Sequence, residues 1–158
     1  MIEKYMAAFK NVFVVLLFLL SIAAVSYQIK DSKFFIRETK ENAPEEHQVC
    51  LHNGMELVKQ ELYDQGIEWY EKAIEAKPDF GLSYFCMANA YRLKNEPQYA
   101  VEYYKKAIQF QPENNMSYYM LGVSYFSMGD KEKAMEAYYT LKQKDNDLAE
   151  KLMYMISG

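Results

Sequence analysis

Apolar residues are arranged in two different ways along this chain. Between Lys10 and Lys30 they form one block, dense in Val, Leu, Phe and Ile over residues 12–25. Residues 12–29 are eighteen uncharged positions in a row, enough for a helix of about 27 Å at about 1.5 Å per residue. The hydrocarbon core of a bilayer is about 30 Å thick. Tyr5 and Tyr27 bracket the block where interfacial aromatics sit, and Lys10 can snorkel to the headgroups. From residue 47 onward the pattern changes. Apolar residues now recur at helical spacing in paired stretches, such as Tyr84, Met87, Ala88 and Tyr91 followed by Ala100, Tyr103, Tyr104 and Ala107. Short polar links join the two members of a pair, Lys94-Asn95-Glu96 in one unit and Met128-Gly129-Asp130 in another. The prediction is an all-α chain: helical hairpins preceded by one apolar helix.

The apolar block has two readings. As a retained anchor it is an N-terminal transmembrane helix that meets the lipid bilayer through residues 5–29, within an N-terminal region of residues 1–30. As a cleaved signal peptide it uses Lys4 and Lys10 as the basic start, and the small residues Ala24, Val25 and Ser26 permit cutting before Tyr27. No polar or helix-breaking stretch separates the apolar centre from that site, which favours the anchor. Lys4 and Lys10 precede the block, whereas Lys30, Lys33, Arg37 and Lys40 follow it, so the positive-inside rule turns the downstream domain toward the cytoplasm. A periplasmic or other extracytoplasmic location is the alternative. Residues 31–46 alternate in charge and form a linker, and Pro44 followed by two glutamates suits the first turn of a new helix.

Beyond this linker the chain repeats itself every thirty-four residues. Tyr70, Tyr104 and Tyr138 keep the interval; so do Gly54, Ala88 and Gly122, and Gly66, Ala100 and Ala134. Ala73, Ala107 and Leu141 form another series, Leu57, Tyr91 and Tyr125 a further one, and Pro78 and Pro112 end successive units. The small residues of the first helix are expected to face those of the second, so that two antiparallel helices approach closely. The aromatic series then fills the space toward the next hairpin.

A thirty-four-residue helical hairpin with small, aromatic and Pro positions in this order resembles the tetratricopeptide repeat (TPR) family. The resemblance covers residues 47–148 as three repeats, 47–80, 81–114 and 115–148, with residues 149–158 as a C-terminal capping helix N-capped by Asp145 or Asp147. It implies a superhelix whose first helices line a concave groove for a peptide or a partner helix. One subfamily grips the C-terminal carboxylate of chaperones with Lys, Asn and Arg at set positions. Here those positions hold Leu51, Met55, Cys86, Met116 and Met120, so that carboxylate clamp is absent. The groove side as a whole reads Leu51, Met55, Leu82, Phe85, Cys86, Met116, Tyr119, Met120 and Val123, with Asn89 as the polar exception. Individually such residues are most simply packing between repeats. Together they describe an apolar groove for an amphipathic helix, with Met as the adaptable contact. The chain's own N-terminal helix or linker is a second candidate occupant.

Composition narrows the chemistry. The chain has 158 residues, 51% hydrophobic and 25% charged, with only six Gly and four Pro, as suits a helical globular fold. Its net charge is −4; residues 1–46 carry six charges of each sign, so the excess of acid lies in the repeats. A mildly acidic array lacks the clustered basic side chains that phosphate binding needs, so nucleic acid is not expected as a partner. His47, Cys50 and His52 do not share one helical face, and neither a metal site nor a nucleophile with its base and orienting acid is expected. No cofactor motif is present. The sequence therefore points to a membrane-anchored scaffold or adaptor that binds a protein partner, not to an enzyme. A secreted or periplasmic adaptor lacking residues 1–26 is the alternative.

Overall fold

The computed structural model describes residues 45–158; the expected membrane span and nearly all of the charged linker lie outside the described residues. Seven α-helices follow one another: α1 (Glu46–Lys59), α2 (Tyr63–Ala76), α3 (Gly81–Leu93), α4 (Pro97–Phe110), α5 (Asn115–Ser127), α6 (Lys131–Lys144) and α7 (Asn146–Ser157). Among the described residues there is no strand, and no helix is long and apolar enough to cross a membrane. Helices α1 and α2, α3 and α4, and α5 and α6 pair as hairpins, each hairpin packs on the next, and α7 lies against both α5 and α6. The result is an all-α superhelical stack. The last helix opens at Asn146, three residues before the predicted cap segment, and the Asp145 carboxylate accepts the Leu148 N–H at 3.1 Å to start it.

The hairpins close where side chains are missing. A Cβ added to Gly54 would lie 3.0 Å from the Gly66 carbonyl oxygen, and one added to Gly66 would lie 3.1 Å from the Gly54 carbonyl oxygen. The two backbones of the first hairpin are thus in contact. In the second hairpin Ala88 and Ala100 are fully buried together beside Tyr104. In the third, the space at Gly122 is also claimed by the capping helix: an added Cβ would meet Leu152 Cδ2 at 2.5 Å and Ala137 Cβ at 3.1 Å. Tyr70, Tyr104 and Tyr138 are 2%, 0% and 5% exposed. Tyr70 packs with Ile67 of its own hairpin and with Met87 and Ala90 of the next, so the aromatic series does fill the space between hairpins. Burying a side chain of Met87's size contributes about 1.5–3 kcal/mol.

Each first helix ends in the same way. Residues Glu61, Asn95 and Gly129 have left-handed φ values of 63°, 65° and 81°. Their N–H groups bond to Val58, Arg92 and Phe126, while the following N–H of Leu62, Glu96 and Asp130 reaches back to Leu57, Tyr91 and Tyr125 at 2.9–3.0 Å. This pair of bonds is a Schellman motif, repeated at thirty-four-residue intervals. Glycine adopts that φ freely, asparagine tolerates it, and a glutamate is strained there. Lys94, beside the second of these turns, bridges Asp64 at 2.7 Å and Glu96 at 3.0 Å and so ties the first hairpin to the second.

The three turns predict opposite responses to substitution. Glu61→Gly should raise stability by about 0.5–1 kcal/mol, the relief of left-handed strain exceeding glycine's entropy cost. Gly129→Ala should lower it by about 1 kcal/mol. Chemical denaturation of both variants checks this; a loss of stability in Glu61→Gly would contradict the turn geometry.

Candidate functional site

The nine apolar or thiol residues placed on the groove side by sequence divide into three packed groups and two exposed side chains, and Asn89 stands apart from them as the polar member. Leu51 is only 7% exposed, and with Leu82 and Cys86 it packs into the interface of the first two hairpins around Ile67, Tyr70 and Met87. Phe85 and Met120 pack on Ala88, Ala100 and Tyr104 between the second and third. Tyr119 and Val123 pack on the cluster that joins α6 to the capping helix, built from Tyr138, Leu141, Ala149 and Leu152. Met55 and Met116 stand out, at 41% and 40% exposure. Leu51 is therefore an interior residue, and most of the others are half-buried, with one face holding neighbouring hairpins together. Met55 on α1 and Met116 on α5 lie on the first helices of the outer hairpins and are the most exposed residues of the set.

Asn89 sits on the same stripe of α3 as Phe85, four residues on. Its Oδ1 accepts a hydrogen bond from the Tyr104 hydroxyl at 2.7 Å, which ties the stripe to α4. The Phe85 and Tyr104 rings are 5.8 Å apart in a tilted pair. Arg92 follows Asn89 by three residues and Phe85 by seven, on the same face of α3. Burial pushes the Tyr104 hydroxyl up to about 12, and the Arg92 guanidinium beside it offsets part of that rise. Burial also pushes the Cys86 thiol up to about 11, which leaves it neutral and a poor nucleophile. Cys50 is buried as well. His47 is buried edge-on against Phe80, its Nδ1 3.2 Å from Glu45.

The capping helix adds a feature absent from the sequence-based set. Tyr119, Glu150, Lys151, Tyr154 and Met155 line a cavity of about 600 Å³ between α5 and α7, and Tyr154 is 83% exposed. The thirty-four-residue period carried this signal past the third unit: Cys86, Met120 and Tyr154 are one series, and Met116 and Glu150 belong to another. Arg92 was also within reach of the sequence, through its spacing from Asn89.

Sequence profiles for the tetratricopeptide repeat match residues 47–80, 82–114 and 117–147. The chain is a tetratricopeptide repeat protein. No curated protein sequence matches it. Its fold is similar to that of solved TPR domains. The first TPR domain of Spaghetti (RPAP3), solved bound to the HSP90 peptide SRMEEVD, is 22% identical with a TM-score of 0.66, over 71% of this chain and 90% of that one. The Sgt2 TPR domain from Aspergillus fumigatus is 20% identical with a TM-score of 0.66, over 72% and 78%. The TPR2B domain of yeast Sti1, in a complex with an Hsp70 peptide, is 18% identical with a TM-score of 0.66, over 71% and 96%. At these identities the likeness establishes the TPR architecture.

Cys86 and Tyr104 give the TPR array a sensitivity to alkali. Folding keeps both groups protonated above their ordinary values of 9.0 and 10.0. The unfolded chain therefore releases these protons first as pH rises, and stability falls from about pH 9 upward, through the folded-state values. Denaturation under reducing conditions at pH 8 to 11 should show this fall, and Cys86→Ala should make it shallower between pH 9 and 10. A flat profile in the unsubstituted chain would contradict the buried, neutral thiol.

Proposed function

We propose that this chain is a protein-binding scaffold that works at a bilayer surface. The TPR array presents its first helices to a peptide or amphipathic helix, and residues 5–29 hold the array at the membrane. The observation that carries the binding reading is the pair Met55 and Met116, exposed on the first helices of the outer hairpins, with half-buried Phe85 on the hairpin between them and half-buried Met120 one turn on from Met116. Methionine is flexible and polarizable, and suits contact with a partner of irregular apolar surface. The TPR neighbours solved with HSP90 and Hsp70 peptides support a peptide or protein as the ligand class. The clamp positions here are apolar or thiol side chains, so the ligand's grip is mainly apolar. Anchoring would raise the effective concentration of array and partner without any further contact. The groove has no nucleophile with an activating base, and we read the protein as an adaptor, not an enzyme.

Photo-crosslinking in native membranes tests this. A photoreactive residue at position 55 or 116 should yield a discrete protein adduct, and one at exposed Tyr139, on a second helix, should not. Equal labelling at all three positions, or none at 55 and 116, would contradict the binding face. The same preparation decides the tether. Retention in the pellet after alkaline extraction with residues 1–26 still present is the expected result. A mature chain that begins at Tyr27 would favour the secreted or periplasmic adaptor instead.

A further inference from the structure

We infer that Arg92 makes the groove selective for a partner helix that carries an acidic side chain within its apolar face. This inference rests on the binding reading above. The guanidinium lies beside the Tyr104 hydroxyl, whose own proton is given to Asn89 Oδ1 at 2.7 Å. That hydroxyl oxygen and the Asn89 amide form a small polar patch in an otherwise apolar stripe. Arg92 Nε is buried and has no hydrogen-bond partner. Among the described residues, the ion pairs formed by carboxylates involve Lys59, Lys77, Lys94, Lys133 and His47; none involves Arg92.

A wholly apolar segment laid over Phe85 and Met120 would also cover this cation. Removing a guanidinium from water without an anion is costly, so the site disfavours such a segment. A carboxylate at the matching position of the incoming helix would offset that cost through charge-assisted hydrogen bonds, and the planar guanidinium can take it in a two-point grip. Arg92 lies outside the clamp positions, at the last turn of α3, so on this inference it would meet the body of a docked helix. The anion it fits is therefore a Glu or Asp side chain within the ligand, not a terminal carboxylate.

The test uses the full chain in detergent and a library of acetylated, amidated helical peptides of about sixteen residues, some four turns. Each has Leu, Met and Phe on one face and either Glu or Gln at one varied position of that face. The tightest Glu peptide should bind about tenfold more strongly than its Gln counterpart, the ratio expected for a hydrogen bond to a charged group. Arg92→Met should bring the ratio close to one, and Arg92→Lys should keep part of it. Thermal melting confirms that the variants fold, and the ratio in the unsubstituted chain is a test that needs no variant. Binding without any Glu preference, a preference unchanged in Arg92→Met, or tighter binding of a free C-terminal carboxylate would overturn the inference and leave the groove reading in place. Failure of every peptide to bind would overturn both.

Discussion

The structure depends on how closely two helices can approach when nothing projects between them. In the first hairpin that limit is reached. Gly54 and Gly66 face each other with no room for a Cβ beside either carbonyl oxygen. The second hairpin reaches a similar result with Ala88 and Ala100, both fully buried. Such contact brings many atoms to van der Waals distance at once, and its strength comes from number rather than from any single pair. It also sets the position of everything further out. Tyr70, Tyr104 and Tyr138 are buried because the helices beneath them are close, and the rings then become the surface on which the next hairpin rests.

This stacking makes the array a nearest-neighbour structure, in which each hairpin is stabilised by the ones beside it. The first helices are consequently divided lengthwise. One edge of Leu82 or Phe85 is occupied by the adjoining hairpin, and one edge of Tyr119 by the cluster that joins α6 to the capping helix; the rest of each side chain is exposed. Residues at the ends of the stack behave differently. Met55 is exposed, whereas the third hairpin is covered by α7, whose Leu152 fills the space at Gly122. The capping helix thus completes the core and, through Tyr154 and Met155, extends the apolar lining past the last repeat.

The period of thirty-four residues made the hairpins, their small and aromatic positions and the cap legible, because those positions are under the same steric demand in every unit. Features that depend on backbone conformation were less visible. The left-handed turn residue is plain at Gly129 and readable at Asn95, but Glu61 hides it, since a charged residue gives no hint of a positive φ. Ser83 and Ser117, also thirty-four apart, are fully buried, with hydroxyls that have no partner among the described residues. As polar residues they did not announce themselves as core. The candidate groove was legible as a stripe and not as a surface: spacing identifies the face of a helix, but it cannot divide that face between a neighbouring hairpin and solvent. Leu51 shares the stripe and yet is buried for this reason, and Arg92 drew no attention in the sequence because a lone cation on a helix usually means a solvated face.

Amide hydrogen exchange on the Ala100→Leu chain addresses the close approach most directly. Ala100 is fully buried beside Ala88 and Tyr104, and a larger side chain there must separate α3 from α4. The account predicts faster exchange in both helices and in the facing sides of their neighbours, with a stability loss of about 1–3 kcal/mol. Unchanged protection across α3 and α4, with unchanged stability, would show that these hairpins are held together by something other than the contact of small residues.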